Sequence, residues 1–178
     1  MREKTIGLIF MIAFSAAAYG ASTLIPRSTD KTLTGASVSI PEAGSKEPLL
    51  LVLSFSHKAS GDVKKWNNTF QSTYQKEGVQ YYELEDFQGV PSFVMRMILH
   101  GMRRSIQEPE RSHVVPFFKQ ENAWKKLVNY QRSDIAYVIL ADTSGSVISQ
   151  VRGPFDEPKA ANIKRAIAGM RAQIPTGE

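Results

Sequence analysis

The sequence predicts an α/β domain with a central mixed sheet flanked by helices, closing in a β-hairpin and a last helix. Two continuously apolar runs of strand length, "LLLVLSF" (49–55) and "DIAYVILAD" (134–142), are typical of strands buried on both faces of a sheet. Amphipathic stretches of helical length separate the two runs. Two buried strands separated by helices predict parallel pairing with right-handed crossovers. After the second run, the tight turn "TSGS" and the segment "VISQVRG" predict the hairpin.

Between the two apolar strands, the sequence predicts a helix, a second strand and two further helices. In "VKKWNNTFQSTYQKEG", Trp66, Phe70 and Tyr74 recur at fourfold spacing and form one apolar helix face. Gly78 is placed to end this helix. The alternating, tyrosine-rich "VQYYELED" predicts a strand, whereas "PSFVMRMILHGMRRSIQEP" and "NAWKKLVNYQ" predict amphipathic helices. The segment "DEPKAANIKRAIAGMRAQI" predicts the closing helix.

The chain before the first apolar strand predicts export. Arg2 and Lys4 form a basic n-region, "TIGLIFMIAF" is an apolar core and "SAAAYGAS" supplies small residues for cleavage, so residues 1–21 are predicted to be a signal peptide. The protein is then periplasmic or secreted; an uncleaved N-terminal membrane anchor is the alternative. Residues 22–46 are predicted to be a linker and lead-in with a short edge segment at "GASVSI", and residues 47–174 the folded domain.

The composition of the sequence limits the classes of function that it can have. The 178 residues are 42% hydrophobic, which suits a globular domain with a buried core. Lys and Arg number 22 against 17 Asp and Glu, but they are scattered, with no basic stripe interleaved with stacking aromatics. Nucleic acid is therefore not a predicted partner. The sequence has no cysteine, which excludes disulfides, thiol nucleophiles, cysteine-type zinc sites and dithiol exchange.

The order of elements is that of the thioredoxin-like fold, and three stretches carry a closer resemblance. They are "LLLVLSFS" with Trp66 behind it, "FVMRMILHGMRRSIQEPER", and "DIAYVILADTSGSVISQVRGPFDEP". In the last, Asp142 and Gly145 bracket the turn and Gly153 ends the strand. Over residues 48–167 the sequence resembles the mitochondrial ATPase-complex assembly factor family. The resemblance implies a non-enzymatic chaperone for a subunit of a membrane complex such as ATP synthase.

The position of a thioredoxin active site is recognisable but lacks its chemistry. A redox thioredoxin carries a cysteine pair at the start of its first helix, where the helix dipole stabilises a thiolate. That pair falls near Ala59 and Asp62, so the vestigial active-site region comprises His57, Ala59, Ser60 and Asp62, of which Ser60 or Asp62 is free to cap the helix. The slot of the cis-proline that faces the sulfurs, 134–136, contains no proline. Thiol redox is thus excluded, and the chain is predicted not to be an enzyme.

The three histidines raise two other possible chemistries, acid/base catalysis and metal binding. His57 could pair with Asp62 as an acid/base or metal group, which gives the alternative of an enzyme with non-thiol chemistry; an exposed loop histidine is the simpler interpretation. His100 and His113 stand at no ligand spacing, such as i, i+4, to each other or to His57. The three histidines and six methionines suggest a copper chaperone, but such proteins use a cysteine pair with a histidine. Met95, Met97 and Met102 are more simply interpreted as core or interface residues. No metal and no cofactor are predicted.

The helix "SFVMRMILHGMRRSI" provides the positive signal for binding. Its apolar face is wider than one contact with a sheet requires, and arginines cluster along the other side. Such a surface suits a hydrophobic, partly acidic protein partner or a membrane surface. The alternatives are a core helix with a solvated basic edge and a structural domain without a specific partner. The predicted partner-binding residues are Arg96, Met97, Met102, Arg103 and Arg104.

Overall fold

The computed structural model describes residues 23–172. The predicted signal peptide, residues 1–21, therefore lies outside the described residues. The strands of the described range are β1 (Ser28–Lys31), β2 (Ser37–Ile40), β3 (Leu49–Ser54), β4 (Gln80–Asp86), β5 (Val114–Phe117), β6 (Tyr137–Ala141) and β7 (Val147–Arg152). Its α-helices are α1 (Ser60–Thr69), α2 (Ser92–Ser105), α3 (Glu121–Leu127) and α4 (Glu157–Ala172).

The predicted central mixed sheet is confirmed, with strand order β5-β4-β3-β6-β7. The predicted parallel pairing of the two apolar strands is wrong, because β3 and β6 are antiparallel, with Leu49 opposite Ala141. The parallel neighbour of β3 is β4, with Leu49 opposite Gln80. Helices between two strands indicate only that the chain returns to the sheet, not in which direction the second strand runs. Here β5 follows β4 and pairs parallel with it at one edge of the sheet. The chain then crosses to the other side of β3, where β6 runs in the opposite direction.

Strand β5 was not predicted from the sequence. Its four residues are all buried and include Pro116, which has no backbone N–H to donate to a neighbouring strand. Proline is tolerated in a sheet at an edge, and β5 is an edge strand of the five-stranded sheet. The brevity of the run and its proline explain why strand patterning did not find it.

Two apolar layers hold the sheet between its helices. Leu49, Leu51 and Leu53 point from β3 to one face and pack in a cluster with Trp124 of α3. The alternate residues of β3 point to the opposite face, where α1 and α4 cover them. The predicted apolar face of the first helix is confirmed, since Trp66, Phe70 and Tyr74 are all fully buried there. Burying each large side chain of this kind contributes about 1.5–3 kcal/mol.

The helix that carries this face begins with a side-chain cap and ends with a left-handed glycine. Its predicted end is confirmed, because Gly78 adopts φ +59 and its N–H donates to the Gln75 carbonyl. The predicted cap, Ser60 or Asp62, is not used. Helical turns start earlier, with a 3-10 turn over His57–Ala59, and the capping hydroxyl is that of Ser56, which accepts from the Lys58 N–H at 3.3 Å.

The stretch predicted to be a linker is part of the folded body. β1 and β2 form an antiparallel pair, with Ser28 opposite Ile40, so the predicted edge segment "GASVSI" contains β2. Ile25, Leu33 and Ile40 are buried. The Leu33 N–H also donates to the Val114 carbonyl at 2.9 Å, at the edge strand of the main sheet. These few well-spaced apolar side chains, rather than a continuous hydrophobic run, attach the segment.

The predicted hairpin between β6 and β7 is confirmed, with Asp142 organising its turn. One carboxylate oxygen, Oδ1, accepts from the backbone N–H groups of Ser144 and Ser146 at 2.8 and 2.9 Å. Gly145 adopts φ +86, and its N–H donates to the Asp142 carbonyl at 3.0 Å. Burial works against ionisation of Asp142, but the hydrogen bonds to its carboxylate, from the Ser144 hydroxyl at 2.6 Å and from backbone N–H groups, prevail and lower the pKa of its carboxyl group.

Candidate functional site

The vestigial active-site region lies at the carboxyl end of β3, where the chain turns into α1. Its side chains do not converge. His57 and Ser60 are exposed, whereas Ala59 is buried against the core. The Asp62 carboxylate accepts from the Phe155 N–H at 3.3 Å, and the His57 imidazole has no hydrogen-bond partner among the described residues. The structure therefore does not form the His57–Asp62 acid/base pair that the sequence left open.

The loop before β6 is tied to this region by hydroxyl groups. The Ser56 hydroxyl donates to the Ser133 carbonyl at 2.7 Å. The Tyr137 hydroxyl accepts from the N–H groups of Gln131 and Arg132 at 2.9 and 3.0 Å, and donates to the Arg132 carbonyl at 2.9 Å. The Ser56 bond thus joins the two segments that face each other in a redox thioredoxin, and the Tyr137 bonds hold the loop before β6 together.

Aromatic rings fill the sheet face beside this loop. Phe55 packs edge-on against Tyr130 and Tyr137, with ring centroids 5.2 and 5.6 Å away. The Lys125 ammonium lies 4.6 Å from the centroid of the Tyr130 ring and forms an ion pair with Glu121. Packing of rings under a cation stabilises this end of the sheet.

The predicted partner-binding helix, α2, lies at the surface with no buried residue. Phe93 is 64% exposed and Met97 is 71% exposed. At 100° per residue, Phe93, Met97, His100 and Arg104 fall at i, i+4, i+7 and i+11 and form one stripe along the helix. Sequence reasoning chose Met97 and Arg104 from this stripe but missed Phe93 and His100, which the spacing alone could have indicated.

The remaining predicted residues of α2 divide between two sides. Arg96 and Arg103 form a row beside the stripe, and the Arg103 Nε donates to the Leu33 carbonyl at 3.0 Å, which joins α2 to the β1–β2 segment. Met102 is half-buried on the opposite side of the helix. We call the exposed side of the helix the α2 surface; it comprises Phe93, Arg96, Met97, His100, Arg103 and Arg104.

The α2 surface combines apolar and basic groups without any acidic one. The helix sequence contains three arginines, one histidine and no Asp or Glu. Arg103 and Arg104 stand in its last turn, where the helix dipole favours positive charge. A partner that matches this surface must offer an apolar groove bordered by acidic groups.

A second candidate site, which sequence reasoning missed, lies between β4 and α1. We call it the β4–α1 cleft; it has a volume of about 200 Å³, and its lining includes Lys64, Asn67, Glu83, Glu85, Ile106 and Glu110. The alternation in "VQYYELED" places Tyr81, Glu83 and Glu85 on the same face of β4. That spacing was visible in the sequence, but only the packing of α1 shows that this face is covered.

Burial gives the cleft unusual electrostatics. Burial raises the pKa of Glu83 to about 8; the hydrogen bond from Tyr81 opposes the shift, and the carboxylates of Glu85 and Glu110 add to it. The pKa of Glu85 is likewise raised by burial, an effect that the electrostatic interaction with His57 opposes. Carboxyl groups removed from water in this way favour their protonated form unless a cation accompanies them.

Two features are absent from the described residues. Within residues 23–172, no three His, Asp or Glu side chains stand together as metal ligands would. No helix in the same range combines the length and apolarity that crossing a bilayer requires.

Comparisons with known proteins identify the fold. No family model and no curated protein matches the sequence. The structure resembles that of a Chlorobium tepidum protein assigned as the thiol:disulfide interchange protein DsbE, with a TM-score of 0.56 and 15% identity over 83% of this chain and 95% of that one. It also resembles the exposed lipoprotein thioredoxin of Streptococcus pneumoniae strain TIGR4, with a TM-score of 0.55 and 9% identity over 81% and 99% of the two chains.

A third neighbour is BsSco, a member of the Sco family of cytochrome c oxidase assembly proteins, with a TM-score of 0.56 and 9% identity over 85% of this chain and 95% of that one. Together these likenesses confirm the thioredoxin-like fold, and at such identities they show the fold alone. These likenesses do not support the narrower resemblance to the ATPase-complex assembly factor family. The chain also differs from neighbours named for thiol–disulfide exchange, because its sequence has no cysteine.

Proposed function

We propose that this chain is a redox-inactive thioredoxin-like protein that acts by binding another protein through the α2 surface. The observation that carries the proposal is the exposure of Phe93 and Met97, at 64% and 71%, on a helix with no buried residue. Large apolar side chains left in water beside each other, and edged by charge, are typical of a surface that a partner covers.

The composition of the α2 surface suits a protein groove. Aromatic, methionine and arginine side chains are enriched at interfaces, and a few such residues carry most of the binding energy. Phe93 and Met97 supply the apolar anchors, and Arg96 and Arg104 supply charges that select an acidic border and speed association. In this proposal Arg103 has mainly a structural role, because it already donates to the Leu33 carbonyl.

We further propose that the partner is a subunit of a membrane complex and that the protein acts as an assembly factor or chaperone. The resemblance to the ATPase-complex assembly factor family supports this role, and so does the Sco neighbour, whose family assembles cytochrome c oxidase. The basic, apolar leader supports a periplasmic or secreted location, as does the structural likeness to an exposed lipoprotein. ATP synthase is the partner that the resemblance favours.

The rival function, an enzyme with non-thiol chemistry at His57 and Asp62, has less support. Acid/base catalysis requires the two groups within hydrogen-bond reach of each other or of a shared substrate. Asp62 instead accepts from the Phe155 N–H, and His57 is exposed at the surface. The enzyme hypothesis predicts that His57→Ala abolishes a measurable turnover; the binding hypothesis predicts that His57→Ala leaves co-purification of the partner intact.

The test is quantitative crosslinking and affinity capture from the cell-envelope fraction, comparing two matched variants. Met97→Glu introduces a charge into the α2 surface. Ile148→Glu introduces the same charge at an apolar side chain on β7 that is 45% exposed and distant in sequence from α2. The proposal expects capture of a membrane-complex subunit by the wild type and by Ile148→Glu, with at least a tenfold loss for Met97→Glu. Equal capture by both variants, or no specific capture by the wild type, overturns it.

A further inference from the structure

Two side chains of the β4–α1 cleft are more than nine-tenths buried and keep a polar atom without a partner. Glu83 is 7% exposed; its Oε1 accepts from the Tyr81 hydroxyl at 3.0 Å, while no described residue hydrogen-bonds to its Oε2. Asn67 is 8% exposed; its Oδ1 accepts from the Gln71 Nε2 at 3.2 Å, and its Nδ2 has no partner in the same range. Neither atom is sealed from water, since among the described residues the Trp66 indole nitrogen alone is a buried side-chain N or O atom without a hydrogen-bond partner. Both unpaired atoms are therefore open to the cleft that their residues line. Two nearly buried side chains that each present an unpaired polar group to one cleft indicate a site for a ligand.

The charges around the cleft identify the sign of that ligand. Three carboxyl groups, those of Glu83, Glu85 and Glu110, line it against a single cationic residue, Lys64. Glu83 and Glu85 project from the same face of β4 because they stand two residues apart on one strand. Lys64 is exposed on α1 and forms no ion pair with the described residues. His57 acts electrostatically on Glu85 but does not line the cleft. The lining of the β4–α1 cleft therefore contains more carboxyl groups than cationic groups.

The volume and the lining of the β4–α1 cleft favour an organic cation as its ligand. About 200 Å³ accommodates a small planar group with several donors. No three ligating side chains converge within residues 23–172, which does not suit a bare metal ion. A guanidinium group presents five N–H donors in a rigid fork and pairs well with carboxylates, including buried ones.

We propose that the β4–α1 cleft is a binding site for a guanidinium group, with Glu83 Oε2 as its principal acceptor and Glu85 as the second carboxylate. The bound cation gives the buried Glu83 the charge partner that it lacks. The same chemistry is available from an arginine side chain of a protein partner and from a free small guanidine. This site is separate from the α2 surface, and its existence does not depend on the proposed function.

Binding at this site is coupled to a proton. Because the pKa of Glu83 is raised to about 8, most of the unliganded protein carries a proton on this group at neutral pH. A guanidinium ion favours the carboxylate form, so its binding displaces the proton into solvent. The affinity for the cation therefore increases from pH 6 to pH 8, with up to one proton released per cation bound near neutrality.

The test is titration calorimetry of the full chain with methylguanidinium chloride, performed in two buffers of different ionisation enthalpy to count released protons. Glu83→Gln replaces the carboxyl group by a neutral isostere and is expected to weaken binding at least tenfold and to abolish proton release. Glu157→Gln, at an exposed residue in the first turn of α4, is the matched control and is expected to bind as the wild type does.

Further ligands distinguish the source and the chemistry. N-acetyl-arginine-N-methylamide represents an arginine side chain in a protein, and agmatine represents a free small guanidine; tighter binding of one identifies the natural source. Methylammonium tests whether the planar fork is required, and equal affinity for it overturns the choice of guanidinium. No detectable methylguanidinium binding by the wild type, or equal affinity in Glu83→Gln, overturns the site. If Glu83→Gln fails to fold, the number of protons released by the wild type on binding methylguanidinium still tests the site, and binding without proton release overturns it.

Discussion

Tyr81 donates its phenolic hydrogen to Oε1 of Glu83 across 3.0 Å, and both side chains are buried on the same face of β4. This pair places a titratable carboxyl group inside the sheet–helix interface, where an apolar residue would be usual. Burial and the neighbouring carboxylate raise the pKa of the Tyr81 hydroxyl well above its ordinary value, so it remains a donor throughout the physiological range. Glu83 is the group of the pair that titrates near neutrality.

The first prediction concerns the pH dependence of stability. The folded-state pKa of Glu83, about 8, lies above its unfolded value of 4.5, so the folded protein holds the proton more tightly. The resulting stabilisation is complete below pH 4.5 and is lost as the pH rises through 8, by about 3–5 kcal/mol in total. Glu83→Gln cannot titrate, so we expect its free energy of unfolding to exceed that of the wild type increasingly from pH 5 to pH 8.

Urea unfolding of both proteins at several pH values between 5 and 8 measures this difference. Other raised carboxyl groups, such as Asp86 with a pKa of about 6, remain in both proteins and cancel in the comparison. Glu157→Gln, exposed on α4, serves as the control and should keep the wild-type slope. Parallel curves for the wild type and Glu83→Gln would show that Glu83 is ionised in the folded protein at neutral pH.

The second prediction concerns the turn of the β6–β7 hairpin. Gly145 adopts φ +86, and a Cβ placed on it would lie 2.9 Å from Cγ of Pro41. Gly145→Ala therefore combines a left-handed backbone penalty of about 1–2 kcal/mol with a steric contact, and we expect a total loss of about 2–4 kcal/mol in the free energy of unfolding. Chemical denaturation measures the loss.

Gly35→Ala separates the two contributions. Gly35 adopts φ +91, but a Cβ there meets nothing within 4 Å, so only the backbone penalty applies. The larger loss for Gly145→Ala then measures the packing of the hairpin turn against Pro41. If the two variants lose the same stability, the turn and Pro41 are not in contact in solution.

The third prediction tests whether the α2 surface belongs to the core. Because Met97 is 71% exposed, Met97→Ala should change the free energy of unfolding by no more than about 0.5 kcal/mol. Phe70→Ala, on the buried face that continues from α1, should cost about 3–5 kcal/mol. Urea denaturation of both variants provides the comparison. A loss above 2 kcal/mol for Met97→Ala would show that this side chain packs within the domain and would remove the main support for the α2 surface as an interface.

Much of the fold could be predicted from local pattern. The apolar runs that become β3 and β6 have no alternative but burial. A fourfold spacing of aromatic residues predicts the apolar helix face formed by Trp66, Phe70 and Tyr74. Gly78 predicts the end of that helix, because a left-handed backbone conformation favours glycine. The β6–β7 turn is likewise encoded by Asp142 and Gly145, whose side chain and backbone make the local hydrogen bonds themselves.

The candidate sites were less predictable. Helical periodicity predicts that Met97 and the arginines of α2 lie on different sides of an amphipathic helix. Which of these sides packs against the rest of the domain depends on the neighbouring elements. The β4–α1 cleft depends even more on tertiary packing, which the sequence pattern does not reveal. A glutamate in an alternating strand is normally placed on the solvent side, and only the position of α1 over β4 converts it into a buried group.

The sequence by itself determined which segments must leave water, where local turns form, and that the chain has no thiol for disulfide exchange, because each of these depends on residue type and short-range spacing. The tertiary structure alone decided that β3 and β6 run antiparallel, that β5 completes the sheet, that the β1–β2 segment joins the body, and that Glu83 and Asn67 share a cleft. These features arise from contacts between distant parts of the chain. Their free energy depends on which surfaces meet, and no local pattern specifies that.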